Sequence, residues 1–250
     1  MKIVNWSFIT SHDWFKDHAE EIRPLMDEDY YPYTSLIKDV TKTRKGVIYL
    51  KCPANTDFLK NTFVFHAPFD LTIDIQVSED NSEPNRIWCP NINQAVFDKL
   101  VDTRFLYNDA RGIDPYPLIG LDWLNQFTCK ESMIVQVMPP FLHRNDFTEK
   151  ATMIPGEYDI SKWTRPVELV FEVRSNKETI VIKKGDALAY FKFRSDEAVK
   201  LIEQPTPWAE IYLCDQIKMK NRFRPLKERY VELAEARASG CPFDHSKPPV

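Results

Sequence analysis

Strict alternation of apolar and polar residues in the third quarter of the chain constrains the fold more than any other feature. Apolar side chains occupy every second position at Val167, Leu169, Phe171 and Val173. The alternation resumes at Ile180 and Ile182 and continues to Phe193, with polar turns at 175–178 and 184–186. Because side chains of a strand point to opposite faces in turn, this period predicts half-buried strands. We therefore expect an all-β fold, a β-sandwich or jelly-roll-like domain with short helices.

The same reasoning predicts further strands and one pairing. The other strands are expected at Gly46–Lys51, Asn61–His66, Asp70–Val77 and Ser132–Met138. Strands Val167–Val173 and Thr179–Phe193 are expected to be antiparallel neighbours, because a short turn joins them and consecutive strands usually pair. The stretch Phe141–Thr152, which follows Pro139-Pro140, is expected to be an irregular arm.

Helical signals lie mainly near the two ends of the chain. Ser11 suits the N-cap of a short helix over Ser11–Arg23, and helix-like apolar spacing also occurs between Asn93 and Leu106. A stripe through Leu226, Tyr230 and Leu233 predicts a C-terminal helix that ends before Gly240. We divide the chain into a β-sandwich domain with an N-terminal extension, residues 1–204, and a C-terminal helix with a proline-rich tail packed on it, residues 205–250.

Composition argues against several classes of function. The 6 glycines stand apart from one another, whereas Rossmann and P-loop sites need them clustered near a phosphate. Net charge is −4 without a basic block, so a nucleic-acid surface is not indicated. The 5 widely spaced cysteines favour reduced thiols, and neither a signal peptide nor a membrane span is evident. We expect a soluble intracellular protein.

Several short sequence motifs of this chain resemble those of a protein family. They are Lys51-Cys-Pro-Ala, Leu59-Lys-Asn-Thr-Phe-Val64, Pro68-Phe-Asp70, Pro155-Gly-Glu-Tyr-Asp-Ile-Ser-Lys-Trp163, Arg165-Pro166 and Lys184-Gly-Asp-Ala-Leu188. Over roughly residues 45–200 the chain resembles a group of proteins from tailed phages of aquatic bacteria. The resemblance implies a viral origin and expression in a bacterial host. No activity is associated with this group of proteins. The resemblance therefore implies no catalytic residue in this chain.

Two sets of residues could hold a metal. His66, Asp70 and His143, with Asp146 as a further candidate, are the ligand types of a non-haem Fe or a Zn site. The alternative is a strand histidine and a capping aspartate, and because Pro139-Pro140 ends the strand before His143, we expect the two imidazoles not to converge on a shared centre. A separation of more than about 8 Å would exclude one metal between them. The second set is the Cys-Pro pairs at Cys52, Cys89 and Cys241, with His245 near the last; its alternative is free thiols.

Aromatic residues supply the candidate binding site. Trp163, Tyr158 and Trp123, with Arg165, could line a groove for a sugar, a base or a peptide, and the alternative is that the rings fill the core. Further aromatic candidates are Tyr30, Tyr31, Tyr33, Trp88 and Trp208, with Arg111 as a second cation. Trp163 and Arg165 are expected near the Pro155-Gly156 turn, where Arg165 would anchor Asp159, Glu157 or an anionic ligand.

The sequence favours a function in binding. We expect a phage-encoded accessory or structural protein that binds a protein or small-molecule ligand, without catalysis and without a cofactor. It would act in the cytoplasm of the bacterial host or in the virion. The expectation is compatible with an oligomer. It includes neither nucleic-acid nor membrane partners. The alternative is a metal-dependent, non-haem iron-like enzyme that uses His66, Asp70 and His143.

Overall fold

The chain folds mainly as β-strands with few helices, in agreement with the expected all-β class. The computed structural model describes residues 1–7, 22, 25, 31–43, 52–78, 86–102, 117–161, 163 and 166–204. Strands of the described residues form three sheets. No described helix combines the length and the apolar character needed to cross a membrane.

The first sheet has the strand order β14-β1-β7-β11-β9, with β6 also paired to β7. Its strands are β1 (Lys2–Ser7), β6 (Val101–Asp102), β7 (Leu118–Thr128), β9 (Ala151–Met153), β11 (Val167–Val173) and β14 (Val199–Glu203). In β11 the buried positions alternate without a break, as the sequence predicts. The parallel pairing of β1 with β14 joins the two ends of the described chain.

The second sheet has the strand order β10-β8-β13-β3-β2. Its strands are β2 (Tyr33–Ser35), β3 (Thr62–His66), β8 (Ile134–Met138), β10 (Gly156–Asp159) and β13 (Ala187–Arg194). β3, β8 and β13 confirm strands that alternation predicts, with ends shifted by one or two residues. The central strand β13 is buried at all of its first five positions, because it is paired on both edges and covered on both faces.

The third sheet, β12-β4-β5, corrects the expected strand pairing. It consists of β4 (Leu71–Gln76), β5 (Arg86–Trp88) and β12 (Lys177–Ile182). β11 is paired with β7 on one edge and with β9 on the other, so neither edge is open to β12. The chain leaves the first sheet after β11, and β12 pairs antiparallel with β4 instead. The prediction that the two neighbouring strands pair is therefore wrong, although both are strands.

Four helices are described: α1 (Leu36–Thr43), α2 (Pro53–Leu59), α3 (Gln94–Leu100) and α4 (Asp146–Lys150). The irregular arm expected at Phe141–Thr152 is confirmed only for residues 141–145, because α4 and β9 occupy the rest. A capping box starts α4, because Asn145 and Thr148 exchange side-chain to backbone hydrogen bonds. The predicted strand at 46–51, the C-terminal helix and the segment 205–250 lie outside the described residues, as does the helix predicted at 11–23 apart from Ile22, which is helical.

Aromatic rings from the first two sheets pack together in the main core. Phe127 of β7 lies 5.6 Å from Tyr33 of β2 and 4.9 Å from Phe191 of β13, measured between ring centroids. A smaller apolar cluster on the other face of the second sheet includes Leu36 and Val40 of α1 and Tyr190 of β13. That smaller cluster holds α1 against the sheet and so determines where its polar residues lie.

Candidate functional site

Helix α1 carries a carboxylate to the surface of the second sheet. Leu36 and Val40 are four residues apart, so they lie on one side of the helix, where both are buried. They pack in the same apolar cluster as Val64 and Tyr190. Asp39 precedes Val40 at the edge of this buried side, and its side chain is 14% exposed. Burial of the apolar pair therefore holds the Asp39 carboxylate against the sheet.

A chain of hydrogen bonds joins Asp39, His143 and Tyr190. Nε2 of His143 lies 2.6 Å from Oδ2 of Asp39, and Nδ1 lies 2.5 Å from the Tyr190 hydroxyl. The Tyr190 hydroxyl oxygen also accepts the backbone N–H of Leu142 at 3.1 Å. With neutral His143, Nε2–H donates to the carboxylate and the hydroxyl donates to Nδ1, so each group in the chain is satisfied. Both ring nitrogens of His143 are thus engaged within the protein.

His66 approaches the other oxygen of the same carboxylate. Its Nδ1 lies 2.9 Å from the carbonyl oxygen of Gly185, which can only accept, so Nδ1 carries a proton. The neutral ring then leaves Nε2 as an acceptor, 3.7 Å from Oδ1 of Asp39. Nε2 is buried and has no hydrogen-bond partner in the described part of the chain. Protonation of His66 would place an N–H opposite the carboxylate and form an ion pair.

This geometry changes the site expected from sequence. The ring centroids of His66 and His143 lie 6.5 Å apart, inside the limit of about 8 Å beyond which a shared metal would be excluded. The carboxylate between them is Asp39, whereas Asp70 accepts the backbone N–H of Lys184 at 2.7 Å. Asp146 starts α4, where it pairs with Lys150 and accepts the backbone N–H of Val181.

The spacing of the imidazoles is that of a hydrogen-bonded cluster. Metal–nitrogen bonds of about 2.0–2.1 Å hold two imidazole centroids at most about 6.4 Å apart on one metal, and about 5 Å apart in tetrahedral geometry. The 6.5 Å separation would therefore have to shrink for Fe or Zn to bind both rings. Within the described ranges, no three His, Cys, Asp or Glu side chains already stand in a metal-holding arrangement.

His143 also lines a cavity of about 350 Å³ on the side of the molecule formed by α4, β9 and the ends of β8 and β11. We call it the Arg144–Arg174 cavity. Its apolar walls include Phe147, Phe171 and Met153, all of which are buried side chains. Its polar edge is formed by Arg144, Arg174, Thr148, Glu149 and Thr152. The cavity therefore combines an apolar floor with a cationic rim.

The two arginines of the rim have no carboxylate partner among the described residues. Nε of Arg174 donates to the Thr152 hydroxyl at 3.2 Å, which restrains the side chain, and its two terminal amino groups have no hydrogen-bond partner within the described residues. The backbone N–H of Arg174 donates to the carbonyl oxygen of Lys150 at 2.9 Å. Arg144 follows His143 directly, so the Asp39–His143–Tyr190 hydrogen bonds fix the backbone that carries it. One acidic side chain, Glu149, shares the lining.

The structure does not place the predicted aromatic groove residues on one surface. Trp163 lies beside Tyr158, with ring centroids 4.7 Å apart, whereas Trp123 is 0% exposed and packs between Phe65 and Phe69 in the core. Trp123 therefore does not share a solvent-facing surface with the other two. Arg165 lies outside the described residues.

Tyr158 lies between Trp163 and the predicted Pro155-Gly156 turn in sequence, and its ring contacts residues on both sides. Gly156 opens β10, and a Cβ atom there would lie 2.9 Å from the Tyr158 hydroxyl oxygen. The Tyr158 ring that contacts Trp163 thus lies over this glycine. Trp163 and Gly156 thus both lie beside the Tyr158 ring, and the glycine gives this ring space without an unusual backbone angle.

The cysteine candidates do not converge within the described residues. Cys52 is exposed, Cys89 is buried and Cys129 is partly exposed, and all three are free thiols. Cys89 Sγ donates to the Asn91 side chain at 3.0 Å. Cys241 and His245 lie outside the described residues.

The residues missed by sequence reasoning left weak signals. Asp39 belongs to a helix that could have been found, because Ser35 precedes Leu36 and Val40 at helical spacing. Arg144 and Arg174 follow a proline pair and a strand end, respectively, which are ordinary places for exposed arginines. Only the folded chain shows that they face one cavity.

Comparison of the chain with protein-family models, with curated proteins and with solved structures finds no match in any of the three.

Proposed function

We propose that the protein binds a small anionic ligand with an apolar body in the Arg144–Arg174 cavity, without a catalytic step. The observation that carries this proposal is a pair of arginines without carboxylate partners in the described chain, above a floor of Phe147, Phe171 and Met153. Guanidinium groups bind carboxylates through paired hydrogen bonds. The apolar floor would bury the remainder of the ligand, as is usual in small-molecule sites.

The charge of the lining favours a carboxylate over a phosphate dianion. Two arginines face the cavity, but Glu149 offsets part of their charge. A monoanion is therefore the better electrostatic match. Neither nitrogen of His143 is available to accept a proton from the ligand, because Asp39 and Tyr190 engage both. This arrangement supports binding rather than acid–base chemistry by His143.

Isothermal titration with hexanoate tests the proposal. Acetate and hexanol serve as comparison ligands, since one retains only the carboxylate and the other lacks it. We expect hexanoate to bind more tightly than either, and Arg144→Gln or Arg174→Gln to weaken it about tenfold, equivalent to about 1.4 kcal/mol. The matched control is Arg86→Gln, an exposed arginine in β5. Equal affinity of wild type and the two cavity variants would refute the proposal.

A second candidate function is metal binding by an enzyme that uses Asp39 in place of Asp70. The observation that favours it is the buried Nε2 of His66, which faces the Asp39 carboxylate without a hydrogen-bond partner in the described chain. Titration with Zn²⁺ and Fe²⁺ under anaerobic conditions tests this candidate. It requires micromolar affinity that both His66→Ala and His143→Ala abolish, and unchanged affinity in either variant would remove it.

The biological context of this binding is likewise proposed. The resemblance to phage proteins supports an accessory or structural role in the host cytoplasm or the virion. Mass spectrometry of purified virions and of infected-cell lysate would separate these two locations. We also propose that the two larger sheets form a β-sandwich, supported by the contact of Phe127 with Tyr33 and Phe191 across them.

A further inference from the structure

A second concave surface lies where end strands of the two larger sheets meet. β14 ends the order of the first sheet and β2 ends the order of the second. Between them is a groove of about 470 Å³, which we call the Lys38–Lys200 groove. Its lining includes Tyr31, Ser35, Lys38, Thr62, Phe63 and Lys200. It shares no lining residue with the Arg144–Arg174 cavity.

The walls of this groove are held in place from both sheets. The Tyr31 hydroxyl accepts Nε1–H of Trp6 and donates to the carbonyl oxygen of Leu201 on β14. Asn61 adopts a left-handed φ of 57°, and its side chain bonds to the carbonyl oxygens of Ser195 and Glu197. These contacts fix the groove before any ligand binds, which lowers the entropic cost of binding.

The charge of the groove is cationic. Lys38 and Lys200 both line it, and neither forms an ion pair or a side-chain hydrogen bond within the described residues. No aspartate or glutamate appears among the described lining residues. This differs from the Arg144–Arg174 cavity, where an acidic side chain offsets the arginines. A ligand with more than one negative charge is therefore favoured here.

One residue of the groove lining has a hydroxyl without a hydrogen-bond partner among the described residues. Thr62 lines it, is 1% exposed, and its Oγ1 has no hydrogen-bond partner in the described part of the chain. Leaving such a group unsatisfied costs about 1–3 kcal/mol. An acceptor oxygen of a ligand would relieve this cost.

The groove also presents flat apolar surface. Tyr31 is 45% exposed, and Phe63 is half-buried on the same groove. The Tyr31 ring is restrained by an edge contact with Trp6 at 5.1 Å between centroids. Burial raises the pKa of Tyr31, the Trp6 hydrogen bond offsets part of this, and the nearby Glu203 carboxylate adds to the rise, so the hydroxyl stays neutral at pH 7. Exposed aromatic faces stack on the bases of nucleotides with little base preference.

We propose that the Lys38–Lys200 groove binds a nucleoside phosphate, with the phosphate between the two lysines and the planar base against Tyr31 and Phe63. The site is independent of the carboxylate-binding cavity. Its ligand class follows from three features together, taken over the described residues: two lysines with no ion pair in a lining that contains no carboxylate, a hydroxyl without a hydrogen-bond partner, and an exposed ring.

Isothermal titration with AMP, adenosine and inorganic phosphate tests this proposal. We expect AMP to bind at least tenfold more tightly than either adenosine or phosphate. Lys38→Gln and Lys200→Gln should each weaken AMP binding about tenfold, and Tyr31→Ala should reduce it toward the affinity of phosphate. Phosphate affinity equal to that of AMP would overturn the base-stacking part and hence the ligand class.

Matched controls distinguish this site from the proposed function. Arg144→Gln and Arg174→Gln should leave AMP affinity unchanged, while Lys38→Gln and Lys200→Gln should leave hexanoate affinity unchanged. Circular dichroism and the melting temperature would show that each variant folds. Absence of AMP binding to wild type at millimolar concentration, or unchanged AMP affinity in both lysine variants, would refute the groove without affecting the carboxylate site.

Discussion

Removal of the Tyr190 hydroxyl group should lower both the free energy of unfolding and the affinity of the proposed carboxylate site. Tyr190 is 0% exposed, and its hydroxyl oxygen lies 2.5 Å from Nδ1 of His143 and accepts the N–H of Leu142. Tyr190→Phe keeps the ring and creates no large cavity, so its effect comes from the lost hydrogen bonds. An unsatisfied buried partner costs about 1–3 kcal/mol. For a chain of this length, each kcal/mol lowers the melting temperature by about 2–4 °C.

The same substitution should weaken hexanoate binding, because the hydroxyl holds the segment that carries His143 and Arg144. Urea unfolding measures the free energy, and isothermal titration measures the affinity. Tyr33→Phe is the matched control: Tyr33 is also buried, and its hydroxyl donates to the Asn125 side chain at 2.8 Å, away from the cavity. It should lose stability but retain hexanoate affinity.

Two results would refute this reasoning. One is a change below about 0.5 kcal/mol in Tyr190→Phe, which is within the range of ordinary surface substitutions. The other is an equal loss of hexanoate affinity in Tyr33→Phe, because the effect would then come from general destabilisation and not from the position of the cavity rim.

Three further predictions concern single residues. Gly185 has a φ of +89° with open space around its missing Cβ, so Gly185→Ala should cost about 1–2 kcal/mol in unfolding free energy, through the backbone alone. Burial alone would raise the pKa of Asp146, but the N–H of Val181 and the ammonium of Lys150 hold it below its usual value. Asp146→Asn should therefore destabilise the protein at pH 7, and in urea unfolding the difference should begin to shrink as pH falls through about 4, the usual aspartate pKa, and should vanish only below the lowered pKa of the folded state. Glu149→Gln should strengthen hexanoate binding roughly two- to fivefold, because it removes the acidic charge from the rim, and titration showing weaker binding would contradict this.

Strand positions could be predicted from sequence, but strand partners could not. Alternation identifies which face of β11 is buried, since it depends only on the local chain. Pairing depends on which edges are free after the whole sheet forms, and β7 and β9 occupy both edges of β11. A short turn between Val173 and Lys177 therefore leads into a different sheet rather than into a hairpin.

Only part of the candidate site could be predicted from the sequence. Histidine is rare in this chain, with 5 in all, so His66 and His143 could be selected by residue type. Asp39 could not be distinguished among the 37 acidic residues, because its role depends on the docking of α1 through Leu36 and Val40. Its contact with His143 spans 104 positions of sequence. Local pattern carries no information on such a contact.

A crystal structure of the protein with hexanoate tests the central claim most directly. We predict that the carboxylate lies within about 3.2 Å of both the Arg144 and Arg174 guanidinium groups, the upper range for such hydrogen bonds. The alkyl chain should contact Phe147 and Phe171. Hexanoate bound elsewhere, or an Arg144–Arg174 cavity that stays empty at saturating hexanoate, would contradict the account.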